Sequence, residues 1–249
     1  MTLAARNLTL AGRLADVSCT LQPGTITAIC GPNGAGKSSL LSALAGLLAV
    51  DGGEAALDGQ PLAAMPPRER AKAIGYLPQD GEVAWDVAVR SLVALGRLPH
   101  RDAGEEAVAR AIAALDLAHL ADRPVSRLSG GEKARALLAR VLAGQPRWIL
   151  ADEPLAALDL SHRFALLEHL RGAAMQGAGV VLVLHDLALA MNHADHVLVL
   201  DKGMLAASGP PDEALAPDVI ARVFGVEASW VGPAGALALS CCPTGGSPQ

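Results

Sequence analysis

"TITAICGPNGAGKSSLLSAL", residues 25–44, decides how this chain folds. Its first six residues are apolar or β-branched and read as a short buried strand, and a helix reads from near Lys37, apolar over residues 40–48. Between them Gly31, Gly36, Lys37 and Ser38 stand in the spacing G-x-x-x-x-G-K-[ST]. A loop of this kind curls its backbone N–H groups around a phosphate, and the helix start adds roughly half a positive charge. The spacing gives Gly31, Pro32, Asn33, Gly34, Ala35, Gly36, Lys37, Ser38 and Ser39 to a phosphate cradle. Lys37 reaches the β- and γ-phosphates in that reading, and the Ser38 hydroxyl ligates Mg²⁺.

Upstream, "AARNLTL" and "ADVSCTL" read as short strands. Downstream, "EAALDGQPL" reads as a hairpin arm, "PPRERAKA" as a short helix with proline in its first turn, and "IGYLPQ" as a brief strand. Residues 85–144 are helical in pattern throughout. Strand and helix then alternate: "RWILAD", the helix 161–176, "VVLVLHD", the helix 187–194 and "HVLVLD". Near-continuous apolar strands alternating with helices imply a buried parallel sheet. The expected fold is α/β: a P-loop domain with a mostly parallel sheet, an N-terminal antiparallel β part and a helical block at 85–144 inserted in the core. That domain is expected to span residues 1–226. Residues 227–249 lose periodicity and are expected to be a tail, with "PTGGSPQ" disordered.

Of 249 residues, 51% are hydrophobic, yet only three Trp, one Tyr and two Phe are present, so Leu, Val, Ile and Ala must build the core. A chain of this length buries roughly 70–75% of its unfolded surface, which needs no covalent staples. The net charge of −5 offers no footprint for nucleic acid, and no nucleic-acid partner is expected. Cys19 and Cys30 lie in apolar strand-like runs and read as buried reduced thiols; Cys241 and Cys242 lie in the polar tail. The N-terminus lacks a signal core, and no run approaches ~18 apolar residues, so a cytosolic chain that does not span a membrane is expected.

"RWILADEP" supplies a second element of the site: an apolar strand ending in Asp152 and Glu153. Successive strand residues point to opposite sides, which would let Asp152 hold the Mg²⁺ shell while Glu153 faces an attacking water. "LSGGEKARALLAR", residues 128–140, is a Ser-Gly-Gly run opening a helix and a second candidate phosphate cradle. Ser129 as N-cap with Glu132 three positions on makes a capping box, so a merely well-capped helix is one reading. Gly130 and Gly131 cost roughly 1 kcal/mol each in a helix interior, which favours close approach of backbone to a phosphate.

Together "GPNGAGKSS", "LSGGE", "ILADEP", "ALD" and the histidine of "VLHD" resemble, in order, the motifs of the ATP-binding-cassette ATPases, over nearly the whole chain to about residue 226. The resemblance implies ATP hydrolysis with ATP and Mg²⁺, by two chains paired head to tail. Each "LSGGE" (Ser129, Gly130, Gly131) would close the nucleotide of the other chain, a two-fold interface presenting one surface twice. It further implies that Gln79 contacts Mg²⁺ and the attacking water, that Asp159 links the two sites, and that His185 touches the γ-phosphate and positions Glu153. Metal contacts would then be Ser38, Gln79 and Asp152, and the catalytic set Glu153, His185 and Gln79.

The chain departs from the family in places. Ala11-Gly12-Arg13 stands where an adenine-stacking aromatic is usual, so weak discrimination between ATP and GTP is expected. "LSGGEKARA" and "PLAALD" also differ from the usual patterns, the first read as neutral. "DVAVRSLVALGRLPHR" (86–101), "DLALAMNHADHVLVLDKG" and "DEALAPDVIARVFGV" are similar to importers for iron–siderophore complexes, haem and cobalamin. That likeness implies integral membrane permease subunits as partners, a periplasmic or extracellular substrate-binding protein indirectly, and a place on the cytoplasmic face of the inner membrane. Residues 79–87, with Trp85, would line the groove that receives the permease; a core aromatic, in a chain short of them, is the equal alternative for Trp85. A soluble ATP-driven clamp on nucleic acid or ribosomes is the alternative, but it usually carries long coiled-coil insertions, a second cassette or basic surfaces. A P-loop phosphotransferase leaves "LSGGE" without a purpose.

Overall fold

A computed structural model describes residues 2–79 and 86–243. The chain opens with an antiparallel arm, β1 (Leu3–Leu10) and β2 (Leu14–Leu21), then enters β3 (Ile26–Cys30) and, through the glycine loop, α1 (Lys37–Leu44). β4 (Gly52–Leu57) and β5 (Gln60–Pro61) return to the arm, giving the order β2-β1-β4-β5. α2 (Pro67–Ala73) starts on Pro67, where a missing N–H costs nothing, and leads into β6 (Ile74–Leu77). α3 (Val89–Ala94), α4 (Glu105–Ala114) and α5 (Gly130–Ala143), joined by 3-10 turns, lie between β6 and β7 (Trp148–Asp152), where the helical insertion was expected. α6 (Leu160–Met175), β8 (Gly179–Val183), α7 (Leu187–His193), β9 (His196–Asp201), β10 (Met204–Gly209), α8 (Pro211–Ala214) and α9 (Pro217–Phe224) follow.

The main sheet runs β10-β9-β3-β8-β7-β6, parallel except for β10. The pleat of β7 divides the interior in two. Ile149 and Ala151 face a core closed by α3, α5, α6 and α9, while Trp148 and Leu150 face one closed by α1 and the antiparallel arm. Because β3, β6, β7 and β8 are parallel, the loops holding Gly31, Gln79, Glu153 and His185 all emerge at one edge of the sheet. That edge is where open α/β sheets bind ligands.

The C-terminal expectation needs correction. Residues 226–243 form a hairpin, β11 (Val226–Val231) and β12 (Ala238–Pro243). Alternate residues Val226, Ala228 and Trp230 pack against the core, and Trp230 Nε1 donates to the Leu215 carbonyl at 2.8 Å. The Asn192 side chain of α7 donates to the Leu237 carbonyl and accepts from the Leu237 N–H, each at 2.8 Å. The hairpin hides in the sequence because its period-two run is six residues long and its polar positions face water. Residues 244–249, the rest of "PTGGSPQ", lie outside the described residues, as does Trp85 with residues 80–84.

Cys30 is buried and Cys19 half-buried; loss of hydration pushes their thiols up to about 12 and about 11, which makes them unreactive at neutral pH. Cys241 and Cys242 are exposed on β12. Among the described residues no helix is long and apolar enough to cross a membrane.

Candidate active site

The loop after β3 takes a path that only glycine permits at its two ends. At Gly31, φ is 149° and a Cβ would stand 2.2 Å from the Leu200 carbonyl oxygen. At Gly36, the N-cap of α1, φ is 97° and a Cβ would stand 2.5 Å from the Arg13 carbonyl oxygen. The loop is thus wedged between the β1–β2 turn and the end of β9. Asn33, Gly34, Ala35, Ser38 and Ser39 line a cleft of about 810 Å³, together with Gly12, Arg13, Gln79, Glu153 and His185. Lys37 is 6% exposed and its Nζ donates to the carbonyls of Gly31 and Pro32, each at 2.9 Å. Burial holds its pKa below 10.5, opposed by Glu153, Cys30 and Asp152. An anion in the loop offers this ammonium stronger, charge-assisted acceptors than the two carbonyls.

Asp152, the last residue of β7, is 4% exposed, and among the described residues its Oδ1 is a buried side-chain oxygen with no hydrogen-bond partner. Burial lifts its carboxyl above the ordinary value; the Ser38 hydroxyl hydrogen-bonds to it and pulls the other way, Glu153 adds to the rise, and Lys37 and His185 lower it. An orphaned, buried carboxylate oxygen beside a hydroxyl is a donor set for a hard cation that takes its remaining ligands from phosphate and water. Among the described residues no group of three or more His, Cys, Asp and Glu side chains forms a metal cage.

Glu153 departs from the alternation expected at a strand end. Its φ is 50°, in the left-handed region, so the chain turns immediately after β7. Asp152 and Glu153 therefore line the same neighbouring cleft, of about 380 Å³, rather than opposite sides. One Glu153 oxygen accepts from Gln79 Nε2 at 3.0 Å, and the other meets His185 Nε2. Residues beyond the ends of β6 and β8 thus hold the carboxylate that follows β7 by both its oxygens, at the mouth of the glycine-loop cleft.

Ser129 caps α5 with a complete capping box: its hydroxyl accepts from the Glu132 N–H at 3.3 Å, and the Ser129 N–H donates to Glu132 Oε2 at 2.7 Å. Gly130 and Lys133 line the second cleft with Gln79, Asp152 and Glu153, while the glycine loop lines only the first. A Cβ on Gly130 would meet nothing within 4 Å, and one on Gly131 would come 3.3 Å from the Ala157 carbonyl oxygen. Among the described residues of one chain, nothing beyond its own helix crowds Gly130. Asp159 caps α6, its Oδ1 accepting from the His162 N–H (3.0 Å) and Ser161 Oγ (2.9 Å) and pairing with His162 Nδ1 (2.7 Å). The His162 N–H bond, with the other two, holds the Asp159 carboxyl down to about 2. His162 carried no signal in the sequence, where only its spacing from Asp159 could have marked it. Arg13 was marked there only by the aromatic it replaces.

The sequence model of the family described as "ABC transporter" matches residues 14–156, more than half of the chain. The chain belongs to the ABC transporter family. It is accordingly an ATP-binding, ATP-hydrolysing protein. The hemin import ATP-binding protein HmuV of Nocardia farcinica (strain IFM 10152) is 44% identical over 238 residues, covering 90% of this chain and 83% of that protein. HmuV of Myxococcus xanthus (strain DK1622) is 42% identical over 250 residues, covering 94% and 92%. A solved ABC transporter in an inward-facing conformation, described as of the metal-chelate type, superimposes with a TM-score of 0.82 at 26% identity, covering 97% of both chains. A dimeric ATP-binding cassette bound to ADP and Pi shares the fold, with a TM-score of 0.76 at 23% identity.

Proposed function

We propose that this chain is the ATP-hydrolysing subunit of an importer and energises uptake of an iron-bearing complex, haem foremost, through a separate membrane permease. The observation that carries the reading is the 42–44% identity to hemin import ATP-binding proteins over at least 90% of the chain. Siderophore complexes and cobalamin are the neighbouring substrate classes.

In this reading two copies associate head to tail, on the cytoplasmic face of the inner membrane, with the permease and, through it, a substrate-binding protein. The glycine loop and Lys37 hold the nucleotide phosphates. Ser38 and Asp152, with Gln79, hold Mg²⁺, which when bound neutralises charge on the phosphate oxygens. Glu153, fixed by Gln79 and His185, orients and deprotonates the attacking water; His185 also faces the γ-phosphate. Ser129, Gly130 and Gly131 present N–H groups at the start of α5 to the nucleotide of the partner chain, into the open space beside Gly130. Asp159, on the turn that leads into α6, links one site to the other.

The test is growth of cells whose own copy is replaced by Glu153→Gln. They are expected to fail with haem as sole iron source and to grow normally on free iron salts. Undiminished growth on haem, with failure on a siderophore complex or on cobalamin-dependent medium, would reassign the substrate.

A further inference from the structure

The cleft over the glycine loop has two ends, and the sheet order separates them. Gln79, Glu153 and His185 follow β6, β7 and β8, all on one side of β3. The β1–β2 turn lies on the other side: a Cβ on Gly203, in the β9–β10 turn, would stand 2.8 Å from the Arg13 carbonyl oxygen. With the terminal phosphate at the Glu153 end, the base of a bound nucleotide falls at the Arg13 end.

The turn there is fixed by its backbone. Arg13 N–H donates to the Leu10 carbonyl at 2.9 Å, and Ala11 N–H to Asp51 Oδ2 at 2.7 Å. The Arg13 carbonyl abuts Gly36. The Arg13 side chain is exposed, lines the cleft, and makes no hydrogen bond or ion pair among the described residues. A guanidinium is planar and weakly hydrated, and it stacks on aromatic rings and on bases.

We infer that Arg13 is the base platform of this site, its guanidinium lying flat on the purine of the nucleotide. The proposal rests on the reading that the glycine loop holds ATP. A stacked plane senses the ring face and not its substituents, so adenine and guanine are held alike.

The experiment measures binding of ATP, GTP and inorganic tripolyphosphate to the full-length chain without Mg²⁺, for wild type, Arg13→Ala, Arg13→Lys and Arg13→Tyr. Arg13→Ala is expected to weaken ATP and GTP equally, by about fivefold or more, the lower end of base-stacking effects. Tripolyphosphate affinity is expected to stay unchanged, Tyr to restore nucleotide affinity, and Lys, which has charge without a plane, to leave it low. Unchanged ATP affinity in Arg13→Ala, an equal loss for tripolyphosphate, or rescue by Lys would overturn the inference. A wild-type chain that binds tripolyphosphate and no nucleotide would instead remove the nucleotide reading beneath it.

Discussion

Replacing Asp152 by Asn tests the site through stability rather than turnover. Asp152 is 4% exposed, and its Oδ1 is an orphaned buried atom among the described residues. A buried polar atom without a partner costs about 1–3 kcal/mol, more for a charged group. Asn keeps the shape and one oxygen, so the gain from removing the charge is set at about 1 kcal/mol. For a chain of this length, 1 kcal/mol moves Tm by about 2–4 °C. Asp152→Asn is therefore expected to melt higher than wild type at neutral pH without nucleotide or Mg²⁺, by thermal unfolding followed with circular dichroism. The pH dependence has a definite sign. Because burial raises the carboxyl of Asp152 in the folded state above 3.8, its favourable contribution is complete below that value and is lost as pH rises through the raised one. The gap between Asn and wild type should thus open as pH rises and close on acidification. Hydrolysis of ATP should be lost in the same variant, a carboxylate kept for function at a cost in stability. A Tm equal to or below wild type at neutral pH, or a gap indifferent to pH, would refute the reasoning.

Glu153→Gln keeps both partners in place and removes the base, so ATP turnover is expected to fall about 10²–10⁴-fold with ATP affinity retained; a loss below tenfold would deny Glu153 that role. Gly130→Ala fills space that is open among the described residues of one chain. Its Tm is expected to hold or rise slightly, while ATP turnover falls at least about tenfold through misplacement of the partner's nucleotide. Loss of folding, or full turnover, would contradict this. Trp230→Phe leaves the Leu215 carbonyl without its donor and is expected to lower stability by about 1 kcal/mol in denaturant unfolding, whereas no change would mean that the hairpin is not tied to the core through that bond.

The strand–loop–helix at 25–44 and the apolar strands β7, β8 and β9 were legible because their signals are local: a fixed glycine spacing, and runs buried on both faces. The capping box at Ser129 was legible for the same reason. Strand alternation gives Glu153 a direction that the structure does not bear out. A left-handed turn at a non-glycine residue leaves no trace in composition, and the pleat rule fails at the residue where the strand stops. The C-terminal hairpin was missed because its fixing points, Asn192 with Leu237 and Trp230 with Leu215, join positions far apart in sequence. The pairing of His162 with Asp159 is a capping geometry that needs the helix start to be known first. Arg13 belongs to the cleft only because the β1–β2 turn folds onto Gly36, a contact between separate parts of the chain.

In the proposed dimer the Ser129 helix start completes the nucleotide site of a second copy. That role is tested most directly by the mass of Glu153→Gln in solution with saturating ATP, measured by sedimentation. The 25.4 kDa chain is expected to pair when ATP is added, and Ser129→Arg in the same background to bind ATP still but stay single. A Glu153→Gln chain that binds ATP and remains single, or a double variant that pairs as readily, would contradict it.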